Sequence, residues 1–118
     1  MKIYTVEVSD EGTRCWYLNG KQHREDGPAV EYPSGTKCWY LNGERHRKNA
    51  PAFEGSDGSR YWYLNGKLHR EDGPAVEHAN GDMEWYLNDE KLTERELLAR
   101  TIRTITIGGV TYRAVKCG

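Results

Sequence analysis

Four stretches of this chain copy one another at an offset of 23 residues, and that period restricts it to an array of like units. Gly12 opens GTRCWYLNGKQHREDGPAVEYPS, Gly35 opens GTKCWYLNGERHRKNAPAFEGSD, Gly58 opens GSRYWYLNGKLHREDGPAVEHAN, and Gly81 opens the truncated GDMEWYLNDEKLTERE. Trp16, Trp39, Trp62 and Trp85 share one phase, and so do the Tyr, Leu and Asn residues that follow each of them. The repeats occupy 12–92 of a single domain spanning 1–118. Residues 1–11 supply an N-terminal strand, Lys2 to Val8, and 93–118 supply a C-terminal cap.

Each copy reads as two short strands. Thr13 to Leu18 is aromatic and β-branched and runs into Asn19-Gly20, whose tolerance of positive φ suits a tight hairpin turn. Asn42-Gly43 and Asn65-Gly66 repeat the signal. The return strand, Pro28 to Tyr32, ends at Pro33-Ser34-Gly35, a short loop with Gly in the left-handed position. That register sets Glu31 opposite Lys37 and Glu54 opposite Arg60, two ion pairs worth a few tenths of a kcal/mol each. His23-Arg24-Glu25-Asp26-Gly27 interrupts any alternation and predicts a bulge or wide loop. Ala50 in the second copy shows that the glycine position of this loop does not require positive φ. The same copy carries the most basic run, Arg45-His46-Arg47-Lys48.

After Leu92, Thr93-Glu94-Arg95-Glu96 fits a capping box, with Leu97, Leu98 and Ile102 on one apolar side of a short helix. Thr104 to Ile107, Gly108-Gly109 and Val110 to Val115 read as a final hairpin. Helix and hairpin together would cover the last sheet edge, which otherwise invites pairing with another chain. The expected fold is therefore mainly β: an elongated single-layer antiparallel meander of about ten strands with a small C-terminal cap.

The residues Trp16, Asn19-Gly20-Lys21, His23, Gly27 and Gly35, recurring from Gly12 to Asn88, resemble the MORN repeat, in which an aromatic-x-x-Asn-Gly-Lys turn and spaced glycines build successive hairpins into one sheet. In detail they are similar to the WYLNGKxHREDGPAVE variant of bacteriophage and bacterial proteins. Arg24, Arg47 and Arg70 stand where the common pattern has glycine. The resemblance implies scaffolding, membrane-proximal or partner-binding roles, and a bacterial branch resembles antitoxins.

Spacing and composition narrow the chemistry. Like residues of successive copies should lie two strands apart, roughly 9.6 Å, so His23, His46 and His69 cannot share a metal ion. The simplest role for each imidazole is a hydrogen bond to its own loop, as to Asp26 or Asp72. Cys15 and Cys38 are also too far apart for a disulfide, and three cysteines without a Cys-x-x-Cys pair suit a reducing compartment. A formal net charge of −1 gives no global field for nucleic acid or anionic lipid. No apolar run matches a secretory signal or a spanning helix, so the expected location is the cytoplasm, without membrane insertion.

No nucleophile elbow, phosphate loop or paired helical histidines occur, and the sequence predicts neither an enzyme nor a cofactor. Strand alternation sets Trp16 and Leu18 on one face, as core, and Cys15 and Tyr17 on the other. The predicted contact residues are Tyr17, Tyr40, Tyr63 and Tyr86 with Arg24, Arg45, Arg47 and Arg70, since Tyr and Arg are prominent in protein interfaces. The expected function is a non-catalytic protein-binding module, and the resemblance to the MORN-like variant implies the setting of a phage accessory protein that engages a host factor, with inhibition of a bacterial defence system as one outcome. Two alternatives stand beside it: an antitoxin or immunity-like protein that neutralises a cognate toxin, and a scaffold that self-associates, as a homodimer or further.

Overall fold

A computed structural model describes residues 2–101 and 103–114. The chain is mainly β and extended, with principal-axis extents of 65 × 40 × 21 Å. Strand β1 (Tyr4–Val8) pairs antiparallel with β2 (Arg14–Leu18), as Tyr4↔Leu18 through Val8↔Arg14. Copy one continues with β3 (Lys21–Gln22) and β4 (Val30–Glu31). Copy two supplies β5 (Lys37–Cys38), β6 (Tyr40–Leu41), β7 (Glu44–Arg45) and β8 (Phe53–Glu54). Copy three repeats these as β9 (Arg60–Tyr61), β10 (Tyr63–Leu64), β11 (Lys67–Leu68) and β12 (Val76–Glu77). Copy four ends in β13 (Met83–Leu87) and β14 (Glu90–Leu92). The main sheet runs β1-β2-β4-β5-β8-β9-β12-β13-β14, with β3 on β2. The registers Glu31↔Lys37 and Glu54↔Arg60 are those expected from the sequence.

The return strands are shorter than expected, two residues in place of five, because the chain leaves the sheet after each histidine. Both β3 and β4 pair with β2, as Leu18↔Lys21 and Cys15↔Val30. Between them the Trp16 carbonyl accepts from His23 N–H at 3.0 Å, and Trp16 N–H donates to the Ala29 carbonyl at 2.8 Å. One residue thus opposes two, and the segment between them is looped out, a wide bulge. Trp39 and Trp62 hold the next two bulges in the same way, through His46 with Ala52 and His69 with Ala75. The alanines Ala29, Ala52 and Ala75, where each bulge rejoins the sheet, are wholly buried.

The tips are type I′ in sign. Asn19, Asn42 and Asn65 have φ of 50–51° and the following glycines 78–82°, which glycine and asparagine tolerate best. Each tip after the first is then fastened to the copy before it. Gly43 N–H donates to Gln22 O and Gly66 N–H to Arg45 O, both at 2.8 Å, and Asp89 N–H to Leu68 O at 2.9 Å.

The helix α1 (Glu94–Thr101) follows the expected capping box. Glu96 N–H donates to Thr93 Oγ1, and Thr93 N–H to Glu96 Oε1, each at 3.1 Å. The helix packs against β13 and β14. Leu97 is buried, but Leu98 is 46 % exposed and lies off the apolar side assigned to it; Ile102 lies outside the described residues. The last hairpin, β15 (Arg103–Ile107) with β16 (Val110–Ala114), forms a sheet of its own with Ile107, Val110 and Tyr112 exposed. Val115 lies outside the described residues.

The core is thin. Leu18, Val30, Cys38, Val76, Leu92 and Leu97 join the alanines, whereas Trp16, Trp39, Trp62 and Trp85 are only half-buried, as are Leu41, Leu64 and Leu87. The tryptophans are not the core that the alternation suggested, because a single-layer sheet has little but its own long side chains to lay over that face.

Candidate functional site: grooves between successive loops

The sheet registers build one charged and one apolar row. On the Trp face, Arg14, Glu31, Lys37, Glu54, Arg60 and Glu77 follow one another across six strands with alternating sign. On the Tyr face, Cys15, Val30, Cys38, Phe53, Tyr61 and Val76 occupy the same strands. Phe53 and Tyr61 stack at 4.9 Å between centroids. Burial pushes the Cys38 thiol above its ordinary range, which suits an inert packing residue.

The looped-out arginines fold back onto the Trp face. Their guanidinium carbons sit 4.0, 3.9 and 3.8 Å from the centroids of Trp16, Trp39 and Trp62, for Arg24, Arg47 and Arg70 respectively. Each also donates at 3.1 Å to a carbonyl at the far end of its own loop, Pro28, Pro51 or Pro74. Each reaches the glutamate of the charged row, Arg24 to Glu31 at 3.3 Å, Arg47 to Glu54 at 2.8 Å and Arg70 to Glu77 at 3.2 Å. The arginine therefore closes its loop and covers the indole together. Where Gly27 and Gly73 stand, a Cβ would come within 2.9 and 2.8 Å of the arginine Cζ, so glycine here makes room for the guanidinium and does not supply unusual backbone.

His23 does bond within its own loop, to Glu25 and not to Asp26, and all three imidazoles also reach the next copy, which was not expected. His23 Nδ1 accepts from Asn42 N–H at 2.9 Å, His46 Nδ1 from Asn65 N–H at 3.0 Å, and His69 Nδ1 from Asn88 N–H at 3.1 Å. An imidazole that accepts at Nδ1 carries its proton on Nε2, which in His23 faces Glu25 Oε1 at 3.3 Å. The ring stands in for the backbone carbonyl that the bulge has removed. Arg24, Arg47 and Arg70 add backbone bonds to the carbonyls of Tyr40, Tyr63 and Tyr86 at 3.1–3.2 Å. Leu92 occupies the histidine position of copy four, where no fifth turn offers an N–H.

Two grooves of the same construction lie between consecutive loops. One, of about 600 Å³, is floored by Trp39 and Leu41 and walled by Arg24 to Gly27 and by His46, Arg47 and Lys48. The next, of about 230 Å³, is floored by Trp62 and Leu64 and walled by Arg47, Asn49, His69, Arg70, Glu71 and Asp72. The Trp62 indole N–H is buried without an acceptor. Loop two borders both grooves and is the least neutralised. Arg24 and Arg70 donate through Nε to Asp26 and Asp72 at 3.0 Å, whereas loop two has Asn49 at that position, with φ of 62°, and Lys48 in place of Glu25 or Glu71.

The predicted contact residues divide between two faces. Arg24, Arg47 and Arg70 line the grooves; Tyr17, Tyr40, Tyr63 and Tyr86 are half-buried on the opposite face. Arg45 belongs with the tyrosines, donating to Tyr40 Oη at 3.2 Å and Tyr63 Oη at 3.3 Å. The groove floors, Trp39, Leu41, Trp62 and Leu64, are residues that strand alternation places in the core, but here they are half-buried and open to the grooves. Among the described residues no group of three or more His, Cys, Asp or Glu could hold a metal ion, and no helix is long and apolar enough to cross a membrane.

At the far end of the Tyr face, Glu84 accepts from His78 Nε2 at 2.6 Å, from Lys91 Nζ at 3.0 Å and from Tyr86 Oη at 3.1 Å. The His78 bond first, then Lys91, holds this carboxyl down at about 2, against an ordinary value of 4.5. A folded-state value below the unfolded one stabilises fully above the unfolded value and fades as pH falls toward the folded value. The wild type should therefore melt above Glu84→Gln at pH 6, and the gap should close between about pH 4.5 and 2 in thermal melts.

No family model, curated protein or solved structure matches the chain.

Proposed function

We propose that this chain is a non-catalytic, MORN-like repeat module that binds a protein partner through the grooves on its Trp face. The observation that carries the reading is the meeting of two aromatic-floored grooves at loop two, whose Arg47 and Lys48 lack the acidic neighbours present in loops one and three. A concave aromatic floor with arginine at its rim has the composition of an interface hot spot. Lys48, and the Arg47 edge that Glu54 does not engage, select a partner segment bearing carboxylates, with apolar side chains for the Trp39 and Trp62 floors. The setting implied by the repeat's resemblance is a phage accessory protein acting on a host factor in the bacterial cytoplasm, with inhibition of a defence system as the outcome.

The test rebuilds loop two in the image of its neighbours. Lys48→Glu with Asn49→Asp and Ala50→Gly restores the sequence HREDG and keeps every residue compatible with the fold. Used as bait in bacterial lysate, the wild type should retain a stoichiometric protein that moderate salt weakens, and the loop-two variant should lose it while melting no lower. A folded wild type that retains nothing, or a variant that binds equally well, contradicts the proposal.

A further inference from the structure

The two ends of the sheet are finished differently. At the C-terminal end α1 packs on β13 and β14 and buries Leu92 and Leu97. At the other end β1 is the terminal strand, and among the described residues nothing pairs with its outer edge. All five of its residues are exposed, Tyr4 at 48 %, Val6 at 49 % and Val8 at 64 % among them. It has no proline and no bulge, the usual devices that keep such an edge from pairing.

The direction of the free backbone groups follows from the register. Ser9 N–H donates to the Thr13 carbonyl, which sets the phase of the hydrogen-bonded pairs along β1 and β2. Trp16 spends its own N–H and C=O on Ala29 and His23, on the far side of β2, so Val6 opposite it receives neither. By alternation Tyr4, Val6 and Val8 aim their backbone groups at the open edge. Their side chains, three apolar residues, share the Trp face.

We propose that two copies of this chain pair β1 to β1, antiparallel about a two-fold axis at Val6. Only residues with outward backbone groups can exchange hydrogen bonds, and this register uses all three: Val6 with the partner's Val6, Tyr4 with the partner's Val8, and Val8 with the partner's Tyr4. It matches apolar to apolar on one face and Thr5 to the partner's Glu7 on the other. At both ends it brings Lys2 beside the partner's Asp10, so the charges are complementary as well. The present neighbour of Lys2 is Glu25 at 3.7 Å, with both side chains largely exposed, so little holds the lysine back. The joined sheets keep their Trp faces on one side, and the dimer presents two rows of grooves together.

Sedimentation equilibrium over a concentration series reaching hundreds of micromolar tests this, since edge pairing of one strand makes a small, weak interface. The wild type should dimerise reversibly. Val6→Lys sets two lysines face to face and should weaken the dimer by at least about tenfold while leaving the circular dichroism unchanged, because Val6 is half exposed. Lys2→Asp and Asp10→Lys should each weaken it, and an equimolar mixture of the two should associate again, because each chain then offers the charge the other lacks. A wild type that stays monomeric throughout, a dimer indifferent to Val6→Lys, or single variants that fail to recombine would each overturn the proposal.

Discussion

Replacing His23 with alanine should cost about 3 kcal/mol, and replacing His69 about 1 kcal/mol, although both imidazoles make the same bond to the next copy. The His23 residue is 5 % exposed. Its loss leaves the Asn42 N–H without an acceptor at a partly buried site, and removes packed ring atoms from a thin core. The His69 side chain is 13 % exposed and the Asn88 bond is at the surface, so water can replace the ring there. Urea unfolding with an unchanged m-value measures the difference. Equal costs at the two sites would mean that the imidazoles act through bulk and not as acceptors.

The second large effect falls on Trp39. Trp39→Ala should cost about 3 kcal/mol even though the indole is only half-buried, because its ring is the platform for Arg47 as well as an apolar surface. Once the ring is gone, the guanidinium keeps Glu54 and the Pro51 carbonyl but loses the surface that holds it in place. A double-mutant cycle with Arg47→Ala should therefore give a coupling of about 1–2 kcal/mol. Additive costs would show that the arginine lies over the ring without gaining from it. Trp39→Phe retains a flat face and should recover most of the loss.

The hairpin tips, the cross-strand registers and the capping box were legible because each depends on residues close in sequence or on a fixed turn length, whereas Glu31 and Glu54 take Arg24 and Arg47 as ion partners instead of the Lys37 and Arg60 opposite them. Which copy a loop folds onto was not. In a strict 23-residue repeat, His23 stands in the same relation to Asn19 as His46 does to Asn42, so periodicity alone cannot distinguish a bond within a copy from a bond to the next. The break in the pattern does carry the signal: copy four has Leu92 in place of histidine and Thr93 in place of arginine, at the one point where no further turn follows.

The faces were half legible for a similar reason. Alternation correctly separated the Trp and Tyr rows, but it says nothing of side chains that leave the sheet and return. Arg24, Arg47 and Arg70 therefore turned up over the indoles, away from the tyrosines they had been grouped with. The grooves arise between loops that only the bulge brings side by side.

That each copy is fastened to the next through its imidazole is the claim on which the bulge, the grooves and the stability differences rest. Couplings transmitted across N–H···N hydrogen bonds measure it directly by NMR in the labelled protein. Cross-peaks should join the Asn42, Asn65 and Asn88 amides to Nδ1 of His23, His46 and His69 respectively, with the ring proton on Nε2. Protonated Nδ1 nitrogens with no coupling to those amides would contradict it.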